Sequence, residues 1–229
     1  HNTIDVVTED IGYSHELTSD VKGALKVRVG SLMSGAKGKV LNTTKKPEME
    51  KILNKPGVLE LEQIGDNQEK NFLMGLVLVS IYEHYISKGE YRNSLNHLLV
   101  FEEAHRLLEN TSSSNNNEIA DMKGKAVETF TDVLSEIRAY GQGVLIADQI
   151  PNKLSPDVIK NTNLKIIHRL FSLDDRETVG HSIGLDEEQM DHLIKLDERQ
   201  AVIFFDELDK PVKANIKDAS NLLADGKVI

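Results

Sequence analysis

Glu102 and Glu103 stand side by side at the end of the apolar run Leu98-Leu99-Val100-Phe101, and Ala104 and His105 follow them. An uninterrupted apolar run of this length predicts a strand buried on both faces, as in a parallel sheet. Strands of such sheets end in the ligand crevice. Alternation along the chain sends neighbouring side chains to opposite sides of the strand. One carboxylate can then hold a hydrated magnesium while the other polarises a water. The plainer alternative is a strand that ends in a solvated acidic turn.

A second apolar run, Gly143 to Ala147, ends at Asp148-Gln149. If the two strands are neighbours, Glu102, Glu103 and Gln149 converge. A carboxylate for magnesium, a carboxylate near water and an amide donor suit a transferring phosphoryl group. An arginine would complete the charge stabilisation, in cis or from a neighbouring subunit, and Arg138 and Arg169 are the candidates. His105 alone fits a structural hydrogen-bonding histidine, or a bridge from the carboxylates to a substrate loop. His84, His97, His168 and His181 lack metal-ligand spacing. Glu102-Glu103-Ala104-His105 is not the zinc pattern H-E-x-x-H, which needs two histidines on one helical face.

The elements that must position these residues follow from periodicity. Ile4, Val6, Val7 and Ile11 suit a strand or an irregular cover. Val21, Leu25, Val29 and Leu32 predict a helix over 20–33. Ser31 to Lys39 invites comparison with a phosphate loop, but G-x-x-x-x-G-K-[ST] is not met: Ala36 follows Gly35, and Val40 follows Lys39. A flexible turn is expected there. Pro47 to Leu53 predicts a short helix, and Gly57 to Leu61 a strand. Asp66 and Glu69 have capping-box spacing before a helix over 67–87 whose wide apolar face predicts deep burial.

Ser112 to Asn117 is a run of small polar residues, which predicts a mobile loop. A helix is expected over 118–138, with Phe130, Val133, Leu134 and Ile137 as its stripe. Ser155-Pro156 begins a short helix. Leu164 to Leu170 predicts a third strand, and Asp186 with Gln189 another capping box. Ala201 to Phe205 and Pro211 to Ile216 read as paired strands. Alternation of strand and helix predicts an α/β three-layer domain with a mainly parallel core.

The 229 residues allow one large domain or one domain with a small appendage, and 39% apolar residues can form a core. No apolar run is long enough for a membrane span. With no signal-peptide pattern at its start, the chain is expected to be cytoplasmic. Cys is absent, which excludes disulfide and thiol chemistry. The net charge of -10 argues against a broadly basic nucleic-acid coat but leaves room for a local basic pore.

Three stretches together resemble the carboxy-terminal half of HerA-type ATPases, in the wider group that includes FtsK-like DNA translocases and VirB4-type secretion ATPases. They are Leu98 to His105, Arg138 to Pro151, and Asn161 to Leu170. The similarity runs over about 55–216, with 1–54 a connecting helical or pore-facing region of the 229-residue partial domain. The resemblance implies a RecA-like, P-loop NTPase-like fold, incomplete at its amino-terminal side because the fragment has no phosphate loop. It implies Glu102 at the Walker B position holding Mg2+, Glu103 activating water, and Gln149 as the sensor of the terminal phosphate of ATP. It implies Arg138 as an arginine offered across a subunit boundary and Arg169 as a second arginine. Glu102 stands where Asp is commoner, and Gly141-Gln142 replaces a Gly-Arg-Lys of several relatives.

The implied activity is Mg2+-dependent ATP hydrolysis coupled to translocation or unwinding of duplex DNA by a homo-hexamer. A nuclease or another end-processing or phage-defence partner is implied with it. The fragment alone is expected to be inactive. Lys37 and Lys39, or Lys45 and Lys46, are the candidate pore lysines. A VirB4-type secretion or conjugation motor, and a noncatalytic ATPase-like scaffold, are the alternatives.

Overall fold

The computed structural model describes residues 2–10, 15–34, 38, 48–92, 94–110 and 117–218. The chain divides into two compact units, His1–Ser80 and Ile81–Ile229.

In the first unit the described residues are helical or irregular. Helices α1 (Asn2–Asp10) and α2 (His15–Leu32) pack on each other, joined by Lys26 to Asp5 at 3.0 Å. The lysine holds the Asp5 carboxyl below its ordinary range. The stretch expected as a strand or an irregular cover is a helix over Asn2–Asp10. The Thr8 hydroxyl, buried, donates to the Ile4 carbonyl within α1 and needs no partner outside the helix. Helix α3 (Met49–Leu53) matches its expectation. Gly57 to Leu61 forms no ladder: Val58 and Leu59 are exposed, and the stretch has no regular secondary structure. Lys37, Lys39, Lys45, Lys46 and the loop at 112–116 lie outside the described residues.

Helix α4 (Asn67–Lys88) crosses from the first unit into the second. The Asp66 carboxylate accepts from the Glu69 amide, which satisfies one free donor of the helix start. The Glu69 carboxylate itself accepts from the Ser31 hydroxyl at 2.7 Å. Leu78 and Ile81 are buried, whereas Phe72, Leu76 and Ile86 are exposed, so the helix hides a narrower stripe than its composition suggests. Gly89, at φ 62, ends it.

The second unit carries two separate sheets among the described residues. Strands β1 (His97–Glu102) and β2 (Gln142–Ala147) are parallel neighbours, in register from His97↔Gln142 to Glu102↔Ala147. Helix α5 (Asn117–Glu136) and a 3-10 turn (Ile137–Tyr140) connect them. Val133 and Ile137 of the predicted stripe are buried. Burial on both faces is not found: Leu98, Val100 and Leu145 point to one side and are 48%, 51% and 44% exposed. Phe101, on the other side, is buried. The apolar run thus serves one packed face, and the opposite face has no packed layer among the described residues.

At the start of this pair Gln142 is almost fully buried. Its carbonyl accepts from Tyr85 and from His97 Nδ1, and its amide donates to the His97 and Gly143 carbonyls. A charged residue at this position would have to be paired to be tolerated in such a place. That gives a structural reason for a neutral amide here.

Beyond β2 come a 3-10 turn (Pro151–Lys153), helix α6 (Pro156–Asn161) and β3 (Lys165–Ile167). Helices α7 (Leu173–Ser182) and α8 (Glu187–His192) follow, then β4 (Gln200–Phe204) and β5 (Val212–Asn215). The order β3-β4-β5 is antiparallel throughout. The third strand therefore joins a hairpin and does not extend a parallel core. A single, continuous, mainly parallel sheet is replaced by a parallel pair and an antiparallel triplet. The short β3 finds its partner in the hairpin that follows it. Ile167, Val179, Ile183, Leu193, Leu196 and Val202 form the core under this triplet. Each contributes about 1.5–3 kcal/mol relative to exposure. The box at Asp186 and Gln189 has both its hydrogen bonds.

Candidate active site

Parallel pairing in register brings the carboxyl ends of β1 and β2 to the same edge. After the last pair, Glu102↔Ala147, the Glu103 amide still donates to the Ala147 carbonyl at 3.0 Å. The chain then turns sharply. Glu103 takes φ 54 and ψ 42, the only non-glycine positive φ among the described residues. A left-handed conformation costs an L-residue with a Cβ roughly 1–2 kcal/mol. It persists where the surroundings over-determine it, and such residues cluster at functional sites.

The surroundings are visible. Ala104 is fully buried and begins a 3-10 turn (Ala104–Arg106), whose Arg106 amide donates to the Glu103 carbonyl. Leu107 and Leu108, both buried, anchor the chain on the far side of this turn.

The turn carries the Glu103 carboxylate toward the end of β2. Gln149 Nε2 donates to Glu103 Oε1 at 3.5 Å. Arg106 and His105 Nε2 lie 3.7 and 3.9 Å from Glu103 Oε2. Both Glu103 and Gln149 reach solvent, so a ligand can reach them. Glu102 is exposed at the same edge, and strand alternation turns it away from Phe101. Glu102, Glu103 and Gln149 therefore come together at one sheet edge.

The two arginines do not join them. Arg138 is exposed in the turn before β2, at the opposite end of that strand. Five residue steps of about 3.3 Å separate the two ends, so it stands roughly 16 Å or more from the Glu103 edge. Arg169 lies after β3 with its guanidinium 5.1 Å from the centre of the Phe171 ring. It lines an open cavity of about 540 Å³ together with Asp197, Glu198, Arg199, Gln200 and Asn215.

Residue type and spacing did not single out Asp148. Its side chain is only 4% exposed and accepts three N–H groups: the His105 amide at 2.8 Å, His105 Nδ1 at 2.9 Å and the Ile150 amide at 3.0 Å. His105 has the hydrogen-bonding place expected of it, and its partner is this aspartate. The available signal was the position of Asp148 at a strand end, directly beside Gln149.

No family model matches the sequence, and no curated protein matches it. Solved structures do match. VirB4 of Thermoanaerobacter pseudethanolicus is similar over 96% of this chain with a TM-score of 0.61 and 17% identity. The chain spans 56% of the length of that protein. The genome packaging NTPase B204 from Sulfolobus turreted icosahedral virus 2, in complex with ATP-gammaS, is similar over 76% of this chain and 74% of its own, with a TM-score of 0.51 and 14% identity.

The likeness is one of fold: a mixed α/β arrangement broadly consistent with the architecture of P-loop NTPases. The parallel pair is the part of it that presents Glu102, Glu103 and Gln149.

The donor set bears on the metal such a fold implies. Among the described residues no group of three or more His, Asp or Glu side chains could hold a metal ion. Magnesium keeps several waters and takes one or two carboxylates together with phosphate oxygens. One exposed carboxylate at Glu102 fits magnesium that arrives with a nucleotide, and does not fit a resident protein-caged metal. No helix among the described residues is long and apolar enough to cross a membrane.

Proposed function

We propose that the chain is the carboxy-terminal part of an ATP-driven motor core of VirB4 type, acting in protein secretion or conjugation. The carrying observation is the meeting of Glu103 and Gln149, 3.5 Å apart, at the shared carboxyl edge of two parallel strands. Likeness to VirB4 over 96% of the chain supports the choice of motor.

In this reading Glu102 holds the Mg2+ that accompanies ATP, and the metal would neutralise charge on the phosphate oxygens. Glu103 accepts the proton of the attacking water. Gln149 donates to the terminal phosphate and exchanges that bond for the one to Glu103 as the phosphate leaves. These are the positioning and electrostatic tasks of phosphoryl transfer. The phosphate-cradling loop is supplied from outside these 229 residues. Arg138, exposed and remote from Glu103 in its own chain, acts across a subunit boundary in a ring, a homo-hexamer in the fullest form. Arg169 is the second arginine of this reading, acting in cis or from a neighbouring subunit. Residues 1–54 form a connecting or pore-facing region.

A second reading is translocation or unwinding of duplex DNA, with a nuclease or other end-processing or defence partner. The likeness to a genome packaging NTPase favours it. The test is ATP turnover by the full-length protein at fixed magnesium, with and without long duplex DNA, beside Glu103→Gln. Turnover that DNA stimulates and the substitution abolishes selects the DNA motor. Stimulation by a secretion partner and not by DNA selects the VirB4-type motor. No turnover in a folded oligomer under any of these conditions selects a noncatalytic scaffold.

A further inference from the structure

Asp148 and His105 stand behind the carboxylates, and no step assigned above uses them. Asp148 is a nearly buried carboxylate whose hydrogen-bonding capacity is taken up by three donors on two different segments. Two donors belong to His105, on the turn after β1. The third is the Ile150 amide, on the loop after β2. Hydrogen bonds to an ionised acceptor are shorter and about twice as strong as neutral ones. The carboxylate therefore ties the two strand-end loops together at the point where Glu103 and Gln149 leave the sheet.

Further along, the same loops are joined again. The Asn110 amide donates to the Lys153 carbonyl at 2.7 Å, and the Ser155 amide to the Leu108 carbonyl at 2.8 Å. Glu109 and Leu154 form an isolated antiparallel bridge between them. Residues 103–110 and 148–155 are thus one zipped body, and Asp148 is its fastening nearest the reacting groups.

The orientation of His105 adds to this. Asp148 accepts only, so Nδ1 carries the proton of this bond. Nε2 then faces the Glu103 carboxylate at 3.9 Å. Glu103 occupies a backbone conformation that costs energy, so something must hold it there. The His105 amide, two residues on, is held by Asp148.

We propose that Asp148 and His105 form a positioning pair that holds Glu103 in its left-handed turn and fixes its distance to Gln149. The pair touches no nucleotide. It sets the geometry of the water-activating carboxylate and of the sensor amide together, so that both move as one body. This proposal rests on the ATPase reading of Glu103 given above.

The substitutions that test it differ in hydrogen bonding more than in size. Asp148→Asn replaces one acceptor oxygen with a donor that opposes one of the three N–H groups. His105→Asn can keep the bond to Asp148, because its side-chain amide nitrogen stands near the place of Nδ1. His105→Leu keeps the bulk and loses the bond. Groups that orient a reacting group from behind typically cost about 10–100-fold in activity when lost.

The measurement is MgATP turnover by the full-length protein, with nucleotide affinity from fluorescent-nucleotide titration and thermal stability recorded alongside. Expected are a kcat lowered about 10–100-fold in Asp148→Asn and His105→Leu, nucleotide affinity within about 3-fold of the parent, and substantial recovery of kcat in His105→Asn. Adding Asp148→Asn to Glu103→Gln should cost little more than Glu103→Gln alone, because residues that act as a unit are not additive.

Two failures are distinguishable. If Glu103→Gln leaves turnover unchanged, the ATPase reading of the site fails, and the positioning role fails with it. If Glu103→Gln abolishes turnover while Asp148→Asn and His105→Leu keep the parental kcat, the pair does not position Glu103. Should Asp148→Asn fail to fold, the comparison of His105→Asn with His105→Leu decides. Equal kcat in those two overturns the proposal, and recovery in His105→Asn alone supports it.

Discussion

Glu103→Gln separates the chemistry of the site from its architecture. The substitution keeps the side-chain length and removes the charge and the proton acceptor. Its structural cost is bounded by the two basic side chains nearest the carboxylate. Arg106 and His105 lie 3.7 and 3.9 Å from it, and the Glu103 side chain is 40% exposed. Solvent-screened pairs of this kind contribute about 0–1 kcal/mol. The glutamine retains an amide oxygen to accept from Gln149, and the left-handed backbone is unaltered. For a unit of this size 1 kcal/mol moves Tm by about 2–4 °C, so the two pairs together bound the expected shift at about 8 °C. The catalytic cost is much larger. Loss of a positioned general base typically lowers the rate about 10²–10⁴-fold. On the proposed assignment Glu102, untouched, would still hold the metal that accompanies ATP, so MgATP affinity should change only a few-fold. The assay is phosphate release by the full-length protein together with fluorescent-nucleotide titration and thermal melting. Equal losses of affinity and turnover would assign Glu103 to binding and refute its role as base.

Glu102→Gln should show the opposite pattern, with a raised magnesium requirement and weaker MgATP binding; a magnesium titration of turnover that matches the parent would count against Glu102 as the metal-holding residue. Arg138→Ala, mixed with a Glu103→Gln protein, should recover activity above that of either variant alone, because the intact arginine and the intact base then meet at shared boundaries; the absence of recovery at any ratio argues against action in trans. Gly141→Ala and Gly184→Ala test the packing that starts β2. Both glycines have positive φ, 77 and 73, but a Cβ at 141 would meet the Ser94 carbonyl at 2.5 Å while one at 184 meets nothing within 4 Å. Gly184→Ala should cost about 1–2 kcal/mol in urea unfolding, and Gly141→Ala about 2–5 kcal/mol because backbone must also move; equal costs would mean that the β1–β2 approach is looser than described. Tyr82 is pushed up to about 12 by its hydrogen bond to Glu136. Its folded value lies above its unfolded value of 10.0, so its contribution is present below pH 10 and is lost as pH rises toward 12. The stability difference between the parent and Tyr82→Phe should hold steady up to pH 10 and shrink above it; a difference that is flat across the whole range contradicts this pairing.

The strand-end places of the candidate residues were more legible in the sequence than the sheet that carries them, for a physical reason. Glu102, Glu103 and Gln149 each stand at or just beyond the end of an apolar run. A strand-end position depends only on where the run stops. The runs stop in register because a parallel pair aligns them from His97↔Gln142 onward. Sheet membership depends on partners far along the chain, and residue patterning carries little of that information. Leu164 to Leu170 reads as a strand whether it extends a parallel core or joins a hairpin, and only pairing with Val202 to Phe204 makes it the latter. Composition likewise misjudged burial. An unbroken apolar run is what a strand covered on both faces requires, yet Leu98 and Val100 face outward while Phe101 does not.

Asp148 shows a different limit. Its neighbour Gln149 was a candidate by its place at a strand end, and it is exposed where the Asp148 side chain is buried. The buried member of such a pair is invisible until the turn carrying His105 is seen folding back on it. Legible catalytic candidates and an illegible support are what the physics gives. The candidate groups sit at strand ends, where sequence marks them. The groups that hold them can come from any segment whose backbone passes within hydrogen-bond reach. The left-handed Glu103 joins the two, because a conformation that costs roughly 1–2 kcal/mol has to be held by contacts outside its own residue.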